Sequence, residues 1–260
     1  MARGIIARMT GFFGRLGEHF GRRPRPIPDS LWQSAVADCA LVVSRPPAEQ
    51  AALRELAGRF LAHKRFAPVQ GAELDDTRCL IIAIQACLPV LHLGFGELGG
   101  WREVVVYPGE FKVRREQHDE HTGVVTEGED VLIGEAWEHG PLVLSWTDIE
   151  ADLRYPHDGL NVIVHEIAHK LDMRDGASDG VPPLSARIPR REWIDGFQRA
   201  YDAHCGAVDR GHETIIDPYA AESADEFFAC VSEMHFSTPT TLAEVAPAVA
   251  NLLRRYYDAA

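Results

Sequence analysis

Several features that would assign a class at once are missing from this sequence. It has only five cysteines, Cys39, Cys79, Cys87, Cys205 and Cys230, an odd and scattered set with no C-x-x-C spacing. That removes a disulfide framework and paired metal-binding cysteines, and it fits a reducing cytoplasm. No apolar run is long enough to span a bilayer. Basic charge is in deficit, with a formal net charge of -13, so the chain lacks the basic face that direct nucleic-acid binding needs. Internal repeats and low-complexity tracts are absent as well. What remains is an ordinary globular composition: 260 residues, 46% hydrophobic, enough to bury a core.

The first 25 residues differ from the rest. Arg3, Arg8, Arg15, Arg22, Arg23 and Arg25 face only Glu18, and the apolar residues from Ile5 to Phe20 recur at helical spacing. Five glycines weaken such a helix, and together with Arg8 they deny the unbroken apolar run of a secretory signal. Arg22 to Pro28 holds three prolines in seven residues and reads as a linker. The expected organisation is a basic N-terminal arm and Pro-rich linker over 1–30, then a single domain over 31–260.

Within that domain, helices are expected after Pro46-Pro47 and after the Asp75-Asp76 cap, then over Leu160 to Met173, Arg191 to His204, Ser223 to His235 and Leu242 to Tyr257. Short β-branched runs at Val104 to Tyr107, Val124 to Thr126, Val131 to Ile133 and Leu142 to Trp146 suggest a small antiparallel sheet. The fold class is therefore α+β and mainly helical.

One helix carries chemistry. His165-Glu166-Ile167-Ala168-His169 is an HExxH pattern on a stretch that is apolar on nearly every side. Residues four apart share a helix face, so both imidazoles can meet one zinc ion, with Glu166 beside it as general base toward a water. Two histidines and a carboxylate on a buried helix would each cost desolvation energy unless paired or coordinated. The other ten histidines show no ligand spacing with this helix.

Zinc needs a third protein ligand. Asp172 and Asp175 stand where a metzincin would place its glycine and third histidine, which excludes that class. A gluzincin takes a glutamate from a later helix, and the acidic candidates are Glu222, Asp225, Glu226 and Glu233. Spacing does not rank them. Ser223-Ala224-Asp225-Glu226 also reads as a capping box, in which Glu226 would merely close a helix start.

Further motifs carry a resemblance. Gly134-Glu135-Ala136-Trp137, Gly140 to Trp146, His165 to Asp172, and Asp217-Pro218-Tyr219-Ala220 running to Glu226-Phe227-Phe228-Ala229 resemble the Mlc titration factor A family of bacterial cytoplasmic zinc peptidases. Val69-Gln70-Gly71 and Tyr107-Pro108 extend the likeness, which runs from about Leu31 to the C-terminal helix; the first thirty residues look unlike the family. The family is related to the catalytic domain of anthrax lethal factor, where a tyrosine lies seven residues before a glutamate ligand. The matching pair here is Tyr219 and Glu226.

The resemblance implies one zinc ion on His165, His169 and Glu226, with Tyr219 as donor to the tetrahedral oxyanion and Asp172 accepting the outer N–H of a ligand histidine. It further implies aminopeptidase-like activity on peptides and binding of the glucose-regulated repressor Mlc, hence a part in controlling sugar-phosphotransferase genes. Gly140 to Trp146 alternates and reads as an edge strand for an extended peptide. Two rival readings stand beside this one: a regulator-binding protein with a structural or vestigial zinc, and an aspzincin-like site using Asp225.

Overall fold

The computed structural model describes residues 26–109 and 140–258. The arm up to residue 25, the segments Val124 to Thr126 and Val131 to Ile133, and the motif Gly134 to Trp137 lie outside the described residues.

Helix α1 (Asp29–Ala37) and the short α2 (Ala40–Val43) lead into α3 (Pro47–His63), which opens with Pro47 in its first turn, where the missing N–H costs nothing. Strand β1 (Arg65–Pro68) follows, then α4 (Asp76–Cys87), whose first turn is capped by Asp75 accepting from the Arg78 N–H at 2.8 Å. Strands β2 (Glu103–Tyr107) and β3 (Leu142–Ser145) complete a three-stranded sheet in the order β1-β2-β3. Val104 and Val106 on β2, and Leu142 and Leu144 on β3, are fully buried on one face.

The sheet is parallel, not antiparallel. Phe66 pairs with Val104 and Val104 with Leu142, all three strands running one way. Side-chain alternation records which face is buried but not strand direction, and β1, with the sequence Arg-Phe-Ala-Pro, offers little alternation at all.

The strand after Gly140 ends at Ser145, whose hydroxyl caps α5 (Trp146–Arg154) by accepting from the Asp148 N–H. Helix α6 (Val162–Asp172) then crosses the centre of the domain. Ile163, Val164, Ile167, Ala168 and Leu171 are fully buried on it, and each of the larger ones is worth about 1.5–3 kcal/mol. Its N-terminus is clamped by side chains: Asn161 Oδ1 accepts from the Val164 N–H at 2.9 Å, and Asp152 Oδ2 from the Val162 N–H at 2.8 Å.

Helix α7 (Arg190–Asp209) and the 3-10 turn Pro218–Ala221 lead to α8 (Ala224–Ser237), which is buried along almost its whole length. Trp193 and Phe197 stack with centroids 4.4 Å apart, and Phe228 and Tyr256 pack edge-on to Trp193. The helix expected over Leu242 to Tyr257 is two helices, α9 (Pro239–Val245) and α10 (Pro247–Tyr257). Pro247 has no N–H to donate and forces Ala246 out of the helical region, to φ -140°.

Candidate metal centre

The centre lies where α6 packs on α8. His165 Nε2, His169 Nε2 and Glu226 Oε2 form a nearly equilateral triangle with edges of 3.1, 3.1 and 3.2 Å. One turn of α6 separates the histidines, and Glu226 sits in the first turn of α8, where Ser223 Oγ caps its backbone N–H at 3.4 Å. The Ser223 half of the capping box therefore forms, while the Glu226 carboxylate is aimed at the histidines. Tyr219, on the preceding 3-10 turn, donates its hydroxyl to Glu226 Oε1 at 3.0 Å.

The electrostatics follow from this convergence. Burial alone would raise the fully buried Glu226 carboxyl, but hydrogen bonds with His165 and His169 outweigh it and hold the group well below the usual carboxylate range. Burial would likewise lower His165, yet bonding to Cys230, Glu226 and Glu233 holds the imidazole well above its ordinary value. Three ligand atoms converging at 3.1–3.2 Å match a face of a tetrahedral zinc site, where bonds of about 2.0–2.1 Å place ligands roughly 3.3 Å apart. The donor set, two imidazoles and a carboxylate, also suits zinc.

Glu166 is half-buried on the turn between the two histidines. Its charge reaches Lys170, one turn on, which burial lowers to about 8 against the opposing pull of Glu166. Lys170 Nζ donates to Gly140 O at 3.0 Å, tying the helix to the segment that enters β3.

Asp172 is fully buried, and its Oδ2 accepts from the Gly180 N–H at 2.8 Å; burial raises its carboxyl to about 7 against that bond. Asp225 Oδ2 stands 3.9 Å from His169 Nδ1, and both its oxygens take hydroxyl bonds, from Ser178 and Ser223. Glu222 closes the 3-10 turn that carries Tyr219.

Glu233 holds a place that the sequence did not assign. Its Oε1 lies 2.8 Å from His165 Nδ1, on the far side of the ring from Glu226. The available signal was its spacing: seven residues is two helical turns, so Glu226 and Glu233 share the face of α8 turned to α6.

Two histidines and a carboxylate on one helix, joined by a carboxylate from a second, form a candidate metal site of the kind that metallopeptidases use. Residues 18–258 match the family described as glucose-regulated metallo-peptidase M90, and the chain belongs to that family. The match begins well before Leu31, so the family likeness reaches into the arm. Among its relatives, Mlc titration factor A of Enterobacter sp. (strain 638) is 40% identical over 239 residues, covering 89% of this chain and 87% of the relative. The proteins of the same name from Escherichia fergusonii and Salmonella arizonae are each 39% identical, over 87% and 88% of this chain and 85% and 90% of theirs.

Proposed function

We propose that this protein is a zinc-dependent peptidase of the gluzincin type with aminopeptidase-like activity. The observation that carries this reading is the Nε2, Nε2 and Oε2 triangle of His165, His169 and Glu226, flanked by Glu166 and the Tyr219 hydroxyl. A zinc ion held by those three residues would acidify a water and polarise the scissile carbonyl.

The chain's own residues do the rest. Glu166 takes the proton as the water oxygen adds to the carbonyl carbon, and returns it to the amine nitrogen as the C–N bond breaks. Tyr219 turns its hydroxyl from Glu226 Oε1 toward the oxyanion that develops on the carbonyl oxygen. Strand β3 ends the sheet among the described residues, so an extended peptide can pair with its backbone. The Lys170 bond to Gly140 holds that strand in register with the helix bearing Glu166.

The relatives' name supports a regulatory partner: this chain would bind an Mlc-type repressor in the cytoplasm and not act on DNA directly. No helix of the described residues is long and apolar enough to cross a membrane.

The test is a panel of aminoacyl and internal peptide substrates, with wild type compared with Glu166→Gln. The variant is expected to keep its zinc and lose turnover. Equal rates for the two proteins would refute the enzymatic reading and favour a regulator-binding protein.

A further inference from the structure

The two histidines of the centre are held unequally from behind. His165 Nδ1 lies 2.8 Å from Glu233 Oε1, whereas the carboxylate facing His169 Nδ1, Asp225, is 3.9 Å away and engaged by two serine hydroxyls. Glu233 is itself pinned. Its Oε2 accepts from the Asn161 N–H at 2.5 Å, and the Asn161 side chain both caps α6 and donates to Gln85 Oε1 on α4 at 2.6 Å. One carboxylate, 4% exposed, thus fixes the first turn of α6 with one oxygen and the ring of His165 with the other.

We infer that Glu233 is the positioning residue of the metal centre: it accepts the Nδ1–H of His165, fixes the tautomer that leaves the lone pair on Nε2, and holds the ring toward the metal. This rests on the zinc-site reading above. An imidazole can present Nε2 to a metal only when its proton sits on Nδ1, and a carboxylate there makes the ring a stronger donor. No other carboxylate contact at an Nδ1 of the two histidines is of hydrogen-bond length among the described residues. Metal affinity is therefore set largely through His165, and through a residue that touches neither metal nor substrate.

Substitution separates the two jobs of Glu233. Glutamine keeps one acceptor oxygen, but its amide nitrogen must then face either the His165 Nδ1–H or the Asn161 N–H, donor against donor. Alanine removes both acceptors. Asp225→Asn serves as the comparison on the His169 side.

Zinc affinity is measured by chelator competition on the full chain for wild type, Glu233→Gln, Glu233→Ala and Asp225→Asn, with folding checked by circular dichroism. The cobalt-loaded proteins are compared by proton NMR. The expected result is one zinc per chain in wild type, a loss of about 10–100-fold in affinity for the Glu233 variants, and an Asp225→Asn protein closer to wild type than either. The cobalt spectrum of wild type should show a shifted, slowly exchanging N–H of His165 that the Glu233 variants lose. If Glu233→Ala does not fold, Glu233→Gln decides the matter. Folded Glu233 variants that bind zinc as tightly as wild type overturn the positioning role and leave the zinc site standing. A wild type that binds no zinc overturns both.

Discussion

Tyr219 and Glu226 are joined by a 3.0 Å hydrogen bond to Oε1, the carboxylate oxygen opposite the one that meets the two histidines. A hydroxyl that rests on a ligand of the proposed metal is already close to the place where charge would develop on a substrate carbonyl. Tyr219→Phe removes that donor without touching a ligand atom. Turnover is expected to fall by about 10²–10³-fold, roughly 3–4 kcal/mol, with zinc content unchanged in metal analysis of the same samples.

Removing the Glu226 carboxylate has a different expected signature. In Glu226→Ala two imidazoles remain, with no carboxylate facing their Nε2 atoms, and zinc content should fall together with activity. Wild type should gain about 2.7 kcal/mol of stability when zinc is supplied at a hundred times its dissociation constant, and Glu226→Ala far less, as read from thermal unfolding with and without the metal. Full zinc retention by this variant would move the third ligand elsewhere, with Asp225 the first candidate.

Asp152 makes stability depend on pH. Burial raises its carboxyl from 3.8 to about 7, against the Val162 N–H bond and with help from the charges of Glu233, Asp158 and Asp148. Between about pH 4 and pH 7 the folded protein therefore keeps a proton that the unfolded chain has released. This contribution is present at low pH and lost as pH rises through that window. Asp152→Asn keeps an acceptor for Val162 and abolishes the titration, so its stability relative to wild type should grow with pH there, by up to about 1.4 kcal/mol per unit. Denaturant unfolding at several pH values checks this, and a constant difference would contradict it.

Gly180 is placed where no side chain fits. Its φ is +75°, and a Cβ added there would lie 2.6 Å from Ala224 O, in the first turn of the helix that carries Glu226. The same residue donates its N–H to Asp172 and accepts from the Trp193 indole. Gly180→Ala must strain the backbone and displace the start of α8, at a cost of roughly 1–3 kcal/mol in thermal unfolding. Weakened zinc binding should accompany it, since Glu226 moves with that turn.

The legible parts of this molecule are those whose signal is local. The HExxH spacing places His165 and His169 on one face, and Asp75, Pro47 and Ser223 stand at helix starts where their side chains suit them. The parallel direction of the sheet is not legible locally, because it depends on pairing between distant segments, and β1 has almost no pattern of its own. The break at Ala246 is also local, because Pro247 cannot continue a helix begun before it. For Glu226, spacing left a capping role and a ligand role open together, and only the packing of α6 on α8 directs its carboxylate. The role of Glu233 depends on the same packing, because its partners Asn161 and His165 lie 72 and 68 residues away.

His165 and Glu226 are 61 residues apart, and the chain between them carries the whole of α7. Bringing their side chains together closes a loop whose entropy cost scales as (3/2)RT ln n, about 3.6 kcal/mol at that length apart from a constant. The centre is thus also the point that closes this loop, and whatever strengthens the contact there makes opening of the segment between the two helices rarer.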